Sequence, residues 1–185
     1  MISQILCRLL AVFFLKESLA SAGEKYRSTL IVYVPDVRQA KRLCLPVDET
    51  KQLLIDWIES YDKQDFYFWT IELKDSHELV GDISVVSLDE ATESVELGYG
   101  IGSRWWGKGI TAEAGRALVK FFFEEVKVKR VYAKHAAGNP NSGSVMQKMG
   151  MKKEGIIRQS GTCNQGIVDE VYYSILRNEY FSNDN

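Results

Sequence analysis

Glu96 to Ala114 leaves this chain few ways to fold. Val95-Glu96-Leu97-Gly98-Tyr99-Gly100-Ile101 reads as a strand, Gly102 to Gly109 as a glycine-bearing loop, and Ile110 onwards as a helix. In that helix Ala114, Ala117, Leu118, Phe121 and Phe122 fall on one face at the helical period. A strand, a glycine loop and a helix N-terminus in that order make an anion site. The first-turn N–H groups have no helical partner, and the helix dipole favours negative charge there. Gly107 and Gly109 carry no Cβ, so a phosphate can approach the loop backbone closely.

Two common phosphate loops do not fit. A Walker loop needs Gly-Lys-Ser/Thr after its spacer, and this loop lacks that run. The dinucleotide fingerprint Gly-x-Gly-x-x-Gly fails because Ser103 and Trp105 stand where its third glycine would be. Arg104-x-x-Gly107-x-Gly109 instead resembles the Gln/Arg-x-x-Gly-x-Gly/Ala pyrophosphate loop of the GNAT family of acyl-CoA-dependent N-acetyltransferases. A second register puts Trp106, Gly109 and Thr111 at the three motif positions. With Trp-Gly-Lys-Gly followed by Glu113-Ala114, it is similar to the branch that includes the ribosomal-protein N-terminal acetyltransferases of RimJ/RimL type. In this register Trp106 and Thr111 depart from the family's residue types but leave the loop amides in place.

Composition limits the alternatives. The 185 residues suffice for one domain with a substantial core. A net charge of −2 gives no basic excess, so a nucleic-acid-binding role is not expected. Cys7, Cys44 and Cys163 are odd in number and lack Cys-x-x-Cys spacing, which argues against a disulfide framework and a zinc site. With only His77 and His135, a histidine metal cluster is not expected either. Ile2 to Leu15 is mostly apolar and Ala20-Ser21-Ala22 resembles a cleavage site, but the run has a weak basic flank and is followed by Lys16-Glu17. It is too short to span a bilayer. The reading is an N-terminal helix that packs on the domain or on a partner, with no membrane partner; the resemblance, through its acetyl-CoA chemistry, implies a cytoplasmic protein.

Taken in order, residues 1–35 lack the family's usual opening strand pattern and are read as a divergent segment. The resemblance covers 36–180, with Leu45-Pro46 where relatives carry Trp-Pro, and 181–185 form a tail. Asp48 caps an expected helix to Tyr61 with Leu53, Leu54, Trp57, Ile58 and Tyr61 on its apolar face. Strands are expected at Tyr67–Leu73, Leu79–Val86 and Ser94–Ile101, an antiparallel meander by its short turns. The helix over Ile110–Glu125 leads to a strand at Arg130–Lys134, a connection long enough for a parallel crossover. Asn139-Pro140 starts a short helix that Gly150 ends. Strands at Met151–Ile157 and Val168–Leu176 close the chain around a polar loop, Ser160–Gly166. The resemblance implies the GNAT fold: an α/β (α+β), mixed and mostly antiparallel sheet flanked by helices on both faces. It also implies that the Ser94 and Arg130 strands run parallel and splay apart to admit pantetheine.

The chemistry follows from this placement. Amine acetylation needs positioning, an ammonium deprotonated, a carbonyl polarised and a thiolate reprotonated; positioning alone can supply about 7–11 kcal/mol. The resemblance implies that acetyl-CoA is held by Ile101, Trp106, Gly107, Lys108, Gly109, Ile110, Thr111, Asn139 and Ser142, with the Ile101 N–H on the carbonyl. Glu96 is the leading general base, and Asp82 and His135 are weaker candidates. Many relatives donate to the thiolate from a tyrosine whose position here is Met146, which cannot donate; the RimJ/RimL-type branch often has a serine where Ser142 stands, and that resemblance implies Ser142 near the sulfur. The implied partners are acetyl-CoA and an amine acceptor, in a monomer or homodimer. The alternative is a non-catalytic acyl-CoA-binding or regulatory module on the same fold.

Overall fold

A computed structural model of the protein describes residues 29–32 and 67–182, apart from 75, 77, 164 and 165. Among these residues, seven strands and three α-helices follow in the order β1 (Thr29–Val32), β2 (Phe68–Leu73), β3 (Leu79–Asp89), β4 (Ser94–Ile101), α1 (Ile110–Phe121), β5 (Arg130–Ala136), α2 (Pro140–Lys148), β6 (Lys152–Cys163), β7 (Gly166–Leu176) and α3 (Arg177–Ser182). They form one sheet in the order β1-β2-β3-β4-β5-β7-β6, among the described residues. Among the described residues only β4 and β5 pair in parallel; the other neighbours are antiparallel. The expected mixed, mostly antiparallel sheet flanked by helices is thus the observed one. The helix expected over 48–61 lies outside the described residues. Among the described residues, no helix is long and apolar enough to cross a membrane.

Strand alternation divides this sheet into two unlike faces. Trp69, Ile71, Ile83, Val95, Leu97, Val131, Ala133, Tyr173 and Ile175 share one register face and are all buried. The opposite face carries Thr70, Asp82, Glu96 and Ser174, which are buried and polar. Both α1 and α2 sit over the apolar face. Phe122, at the end of α1, meets Trp69 edge-on with ring centroids 6.5 Å apart. Gly143 of α2 abuts His135 and Tyr173, and Gly115 of α1 receives Met149 from the end of α2.

Several boundaries differ from those expected; β5, for one, runs to Ala136 instead of ending at Lys134. The Ile110 helix is regular only to Phe121 and then widens into a π turn over Phe122–Val126. Phe121, Phe122, Phe123 and Val126 are all buried, an arc too broad for the inward stripe of a regular surface helix. The guanidinium of Arg177 donates to the Phe123 carbonyl of this turn. Strand β3 runs on to Asp89, because a bulge at Val86 restores pairing with Ser94–Glu96. The segment 160–166, expected as a loop, is largely strand: Gly161, Thr162 and Cys163 pair with Val168, Ile167 and Gly166. This ribbon is mostly exposed on both faces, so its sequence carries no apolar alternation to mark it.

Phe122→Ala should destabilise the fold by about 3–5 kcal/mol, because it empties a fully buried site between Trp69 and Phe121. Urea unfolding followed by circular dichroism measures this. A loss below about 1 kcal/mol would mean that the aromatic cluster does not anchor α1.

Candidate active site

Strands β4 and β5 pair at only three positions, Ser94↔Arg130, Val95↔Val131 and Glu96↔Tyr132. Both strands continue, to Ile101 and Ala136, with no further pairing between them. An opening therefore starts at Glu96. The register fixes what faces it. Gly102 N–H donates to the Val80 carbonyl of β3 at 2.9 Å, while the Glu93 carbonyl accepts from Lys129 on the β5 side at 2.8 Å. Backbone direction alternates along an antiparallel pair, so Tyr99 and Ile101 turn their N–H and C=O into the opening. Such an edge is a template for an added strand or an extended ligand. At the lip, Trp106 Nε1 donates to the Ile101 carbonyl at 3.1 Å.

The opening broadens into a cleft of about 810 Å³ between the end of β4, the start of α1 and the first turns of α2. Ile101, Trp106, Gly107, Gly109, Ile110, Thr111, Asn139 and Ser142 all line it, so eight of the nine cofactor-site residues singled out from the sequence meet here. Lys108 does not line it: its ammonium lies 4.3 Å from the centre of the Trp105 ring, which Arg104 also approaches at 4.8 Å. Gly107 and Gly109 have φ of +76° and +80°, and a Cβ at either would meet nothing within 4 Å. Glycine is there for conformation and leaves open space in front of the backbone. The first helical bond of α1 runs from Glu113 N–H to the Gly109 carbonyl, so the N–H groups of Ile110, Thr111 and Ala112 lack helical acceptors.

The α2 end supplies hydroxyl and amide groups. Asn139 makes no side-chain cap; its Nδ2 donates to Ser142 Oγ at 3.1 Å, which leaves the serine proton free to donate elsewhere. Tyr99 OH donates to the Ser142 carbonyl at 2.8 Å and ties β4 to α2 across the cleft. Tyr99, Trp105, Asn141, Ser144, Val145 and Lys148 also line the cleft but were not singled out from the sequence. The alternation of Tyr99 with Leu97 placed its ring on the helix face; nothing in the sequence marked the α2 residues as facing β4. Met146 is buried in the core.

Glu96 stands at the apex of the opening on the polar face, opposite to the side taken by Tyr99. It does not line the cleft itself. It is buried, accepts a hydrogen bond from Tyr132 OH at 3.1 Å and lies 3.7 Å from Lys134 Nζ. Burial, and then the charge of Glu96, push the Tyr132 hydroxyl above its ordinary pKa. Burial opposes charge on Lys134, but Glu96 and Glu170 outweigh it and hold the ammonium above the usual lysine value. Asp82 is buried on β3 opposite Gly100, farther along the same face. His135 points to the helix face, with Nδ1 against the Ala136 carbonyl at 2.8 Å and Nε2 buried against Gly143. Cys163 is exposed on the β6–β7 ribbon. Among the described residues no group of three His, Cys, Asp or Glu side chains is placed to hold a metal ion.

The polar face is braced by Arg130 of β5, which grips Glu154 of β6 through two bonds, Nη1–Oε1 at 2.6 Å and Nη2–Oε2 at 2.5 Å. Hydrogen bonds from Arg130 hold the Glu154 carboxyl well below the usual range, at about 2, against the opposing effect of burial.

Comparison with known proteins agrees with this geometry. The sequence profile of a family described as "Acetyltransferase (GNAT) domain" matches residues 25–152. The putative ribosomal N-acetyltransferase YdaF of Bacillus subtilis is 38% identical over 102 residues, which are 55% of this chain and 56% of that protein. The chain spans 56%, 63% and 62% of the length of three curated relatives that it matches. A crystal structure described as a probable acetyltransferase superposes with a TM-score of 0.63 at 34% identity, covering 71% of this chain and 74% of the other. The microcin C7 self-immunity acetyltransferase MccE, solved with acetyl-CoA and AMP, shares the fold with a TM-score of 0.69 at 18% identity, covering 80% of this chain and 92% of its own.

The Arg130–Glu154 pair gives a pH test. The folded pKa of Glu154 is depressed, so its stabilising contribution is present above the unfolded value of 4.5 and is lost as pH falls towards about 2. Glu154→Gln should lower stability at pH 7 and remove part of the acid dependence within that window. Both groups are partly exposed, so the effect is modest. Denaturation midpoints of the two proteins at pH 7 and pH 3 measure it; equal midpoint changes at the two pH values would show that the pair carries no linkage.

Proposed function

The chain belongs to the GNAT acetyltransferase family, and on that premise we propose that it moves the acetyl group of acetyl-CoA directly to a primary amine within a ternary complex. The observation that carries this reading is the unpaired edge of β4 running into the glycine loop at the α1 N-terminus. One end offers backbone partners to an extended amide chain, and the other offers free amides and a helix dipole to a pyrophosphate. The residues fit the group: Gly107 and Gly109 open the backbone, and about 810 Å³ is available between β4, α1 and α2.

Each side chain then has a task. The amides of Gly109, Ile110 and Thr111 face the phosphates, with Trp106 and Gly107 shaping the loop. Lys108 contributes loop shape from its seat on Trp105. The N–H of Ile101, at the lip of the opening next to the glycine loop, pairs with the extended pantetheine chain, and Asn139 pairs with its amides. The Ser142 hydroxyl proton goes to the departing thiolate, and the bond from Asn139 orients that hydroxyl. The acceptor amine enters on the polar face, where Glu96 takes its proton. The balance is one C–S bond broken, one C–N bond formed and two protons leaving the ammonium: one passes to Glu96 before attack, and the other, shed by the nitrogen as the C–N bond forms, restores to Ser142 the proton it gives to the sulfur. The acceptor class is a protein N-terminus, a peptide or a small-molecule amine. Supply of acetyl-CoA goes with a cytoplasmic setting.

The loop is tested by Gly109→Asp. The change forces an L side chain into φ of +80° and sets a carboxylate against the phosphates, so CoA affinity should fall roughly tenfold or more while the fold persists. Titration calorimetry with CoA, ATP and NAD reads it. Tight ATP binding without CoA binding by the unaltered chain would overturn the cofactor assignment.

The base is tested by Glu96→Gln, which keeps the shape and the bond from Tyr132. With the best acceptor from a panel of free-amine peptides and small primary amines, kcat at pH 7 should fall about 10²-fold or more, and CoA affinity should not change. Raising the pH should recover part of the loss, because more acceptor is then already deprotonated. An unchanged kcat would make Glu96 structural; absence of turnover with every amine, despite CoA binding, would favour a non-catalytic module.

A further inference from the structure

The chain builds a seat for the carboxylate of Glu170 on β7. Oε2 accepts from Ser160 Oγ at 2.9 Å, lies 3.5 Å from Tyr172 OH and lies 3.5 Å from Lys134 Nζ. Across the ribbon stands Gly161, where a Cβ would come within 2.6 Å of both Cδ and Oε1 of Glu170. The glycine leaves room for the carboxylate. Lys134 stands between Glu170 and Glu96, 3.5 Å from one and 3.7 Å from the other, with the Tyr172 ring centre 5.7 Å away. One ammonium on β5 thus serves a carboxylate from each flanking strand. Side-chain exposures of 9% for Glu96 and 13% for Glu170 keep these charges poorly screened.

We infer that Glu170 is a positioning residue: by sharing Lys134 it keeps that ammonium from pairing wholly with Glu96, and so preserves the basicity that Glu96 needs. This rests on the reading of Glu96 as the base. A cation held by one carboxylate alone lowers its proton affinity, and a second carboxylate nearby raises it; both effects of Glu170 have the same sign. Among the described residues, the titratable groups facing Glu96 are Tyr132 and Lys134 from β5, with Asp82 of β3 farther along the face and Glu170 reached through Lys134. Arg130 is engaged by Glu154.

The test compares kcat–pH profiles of the full chain and its variants on one acceptor from the amine panel, with CoA titration as the check of folding. Glu170→Gln keeps the bonding shape, and should lower the plateau of kcat roughly three- to tenfold and move the acid limb down by about half to one pH unit. Lys134→Met, with Glu170 intact, should move the limb up. The double variant should recover activity over Glu170→Gln alone, which loss of a merely structural contact would not do. NMR titration of the Glu96 carboxyl carbon reads the same shifts without turnover. A wild-type limb in Glu170→Gln, or a double variant no more active than the single one, overturns the inference. Glu96→Gln run beside them separates the two readings: if it is impaired while Glu170→Gln is not, Glu96 remains the base and Glu170 has no part.

Discussion

The separation of β4 from β5 after Glu96 and Tyr132 governs the rest of the structure. A sheet gains by keeping its backbone groups paired, and buried unpaired N–H and C=O groups are costly. Here the sheet gives up that pairing in its middle, between two strands that are each secured on their other side by β3 and β7. The split stays open because other contacts set its width. Tyr99 reaches across to the Ser142 carbonyl, and α1 and α2 lock through Met149 seated on Gly115. The split thus belongs to the rigid frame and is not a loose seam.

The two sheet faces then divide the work. The apolar face carries α1 and α2, whose N-termini both border the cleft. The polar face buries Glu96, Asp82, Thr70 and Ser174 where an ordinary sheet would pack hydrocarbon. Buried polar groups are stable only when bonded, and the Tyr132–Glu96–Lys134–Glu170 chain meets that requirement with one ammonium and two phenols for two carboxylates. The parallel pair supplies the geometry that joins the faces: where its pairing ends, the cleft lies on the helix side of the split and Glu96 on the polar side.

Much of this is legible in the sequence. The strand, glycine loop and helix between Glu96 and Ala114 announced themselves through period, glycine placement and helix start, and eight expected cofactor-site residues share the cleft. Lys108 read as a member because it sits inside the motif. Sequence distance gave no hint that Trp105 would draw its ammonium away. Tyr99 and the outward side of α2 were missed because their role depends on two elements meeting across the split. The exposed ribbon read as a loop because pairing without burial leaves no periodic trace. The π turn was hidden for the opposite reason: three consecutive phenylalanines fit a helical pattern and say nothing about which bonds widen. Lys134 and Glu170 lie on different strands, and no local spacing joins them.

The indole of Trp106, resting on the Ile101 carbonyl, has a consequence for the chain between encounters with ligand. An unpaired strand edge inside an otherwise complete sheet is an invitation to aggregation, because any extended segment of another molecule can zip onto it. A side chain that satisfies the outermost carbonyl blunts the invitation at its entrance. Trp106 is nearly two-thirds exposed and is no part of the core cluster. The edge is thereby capped at its outermost carbonyl by a residue of the adjoining glycine loop.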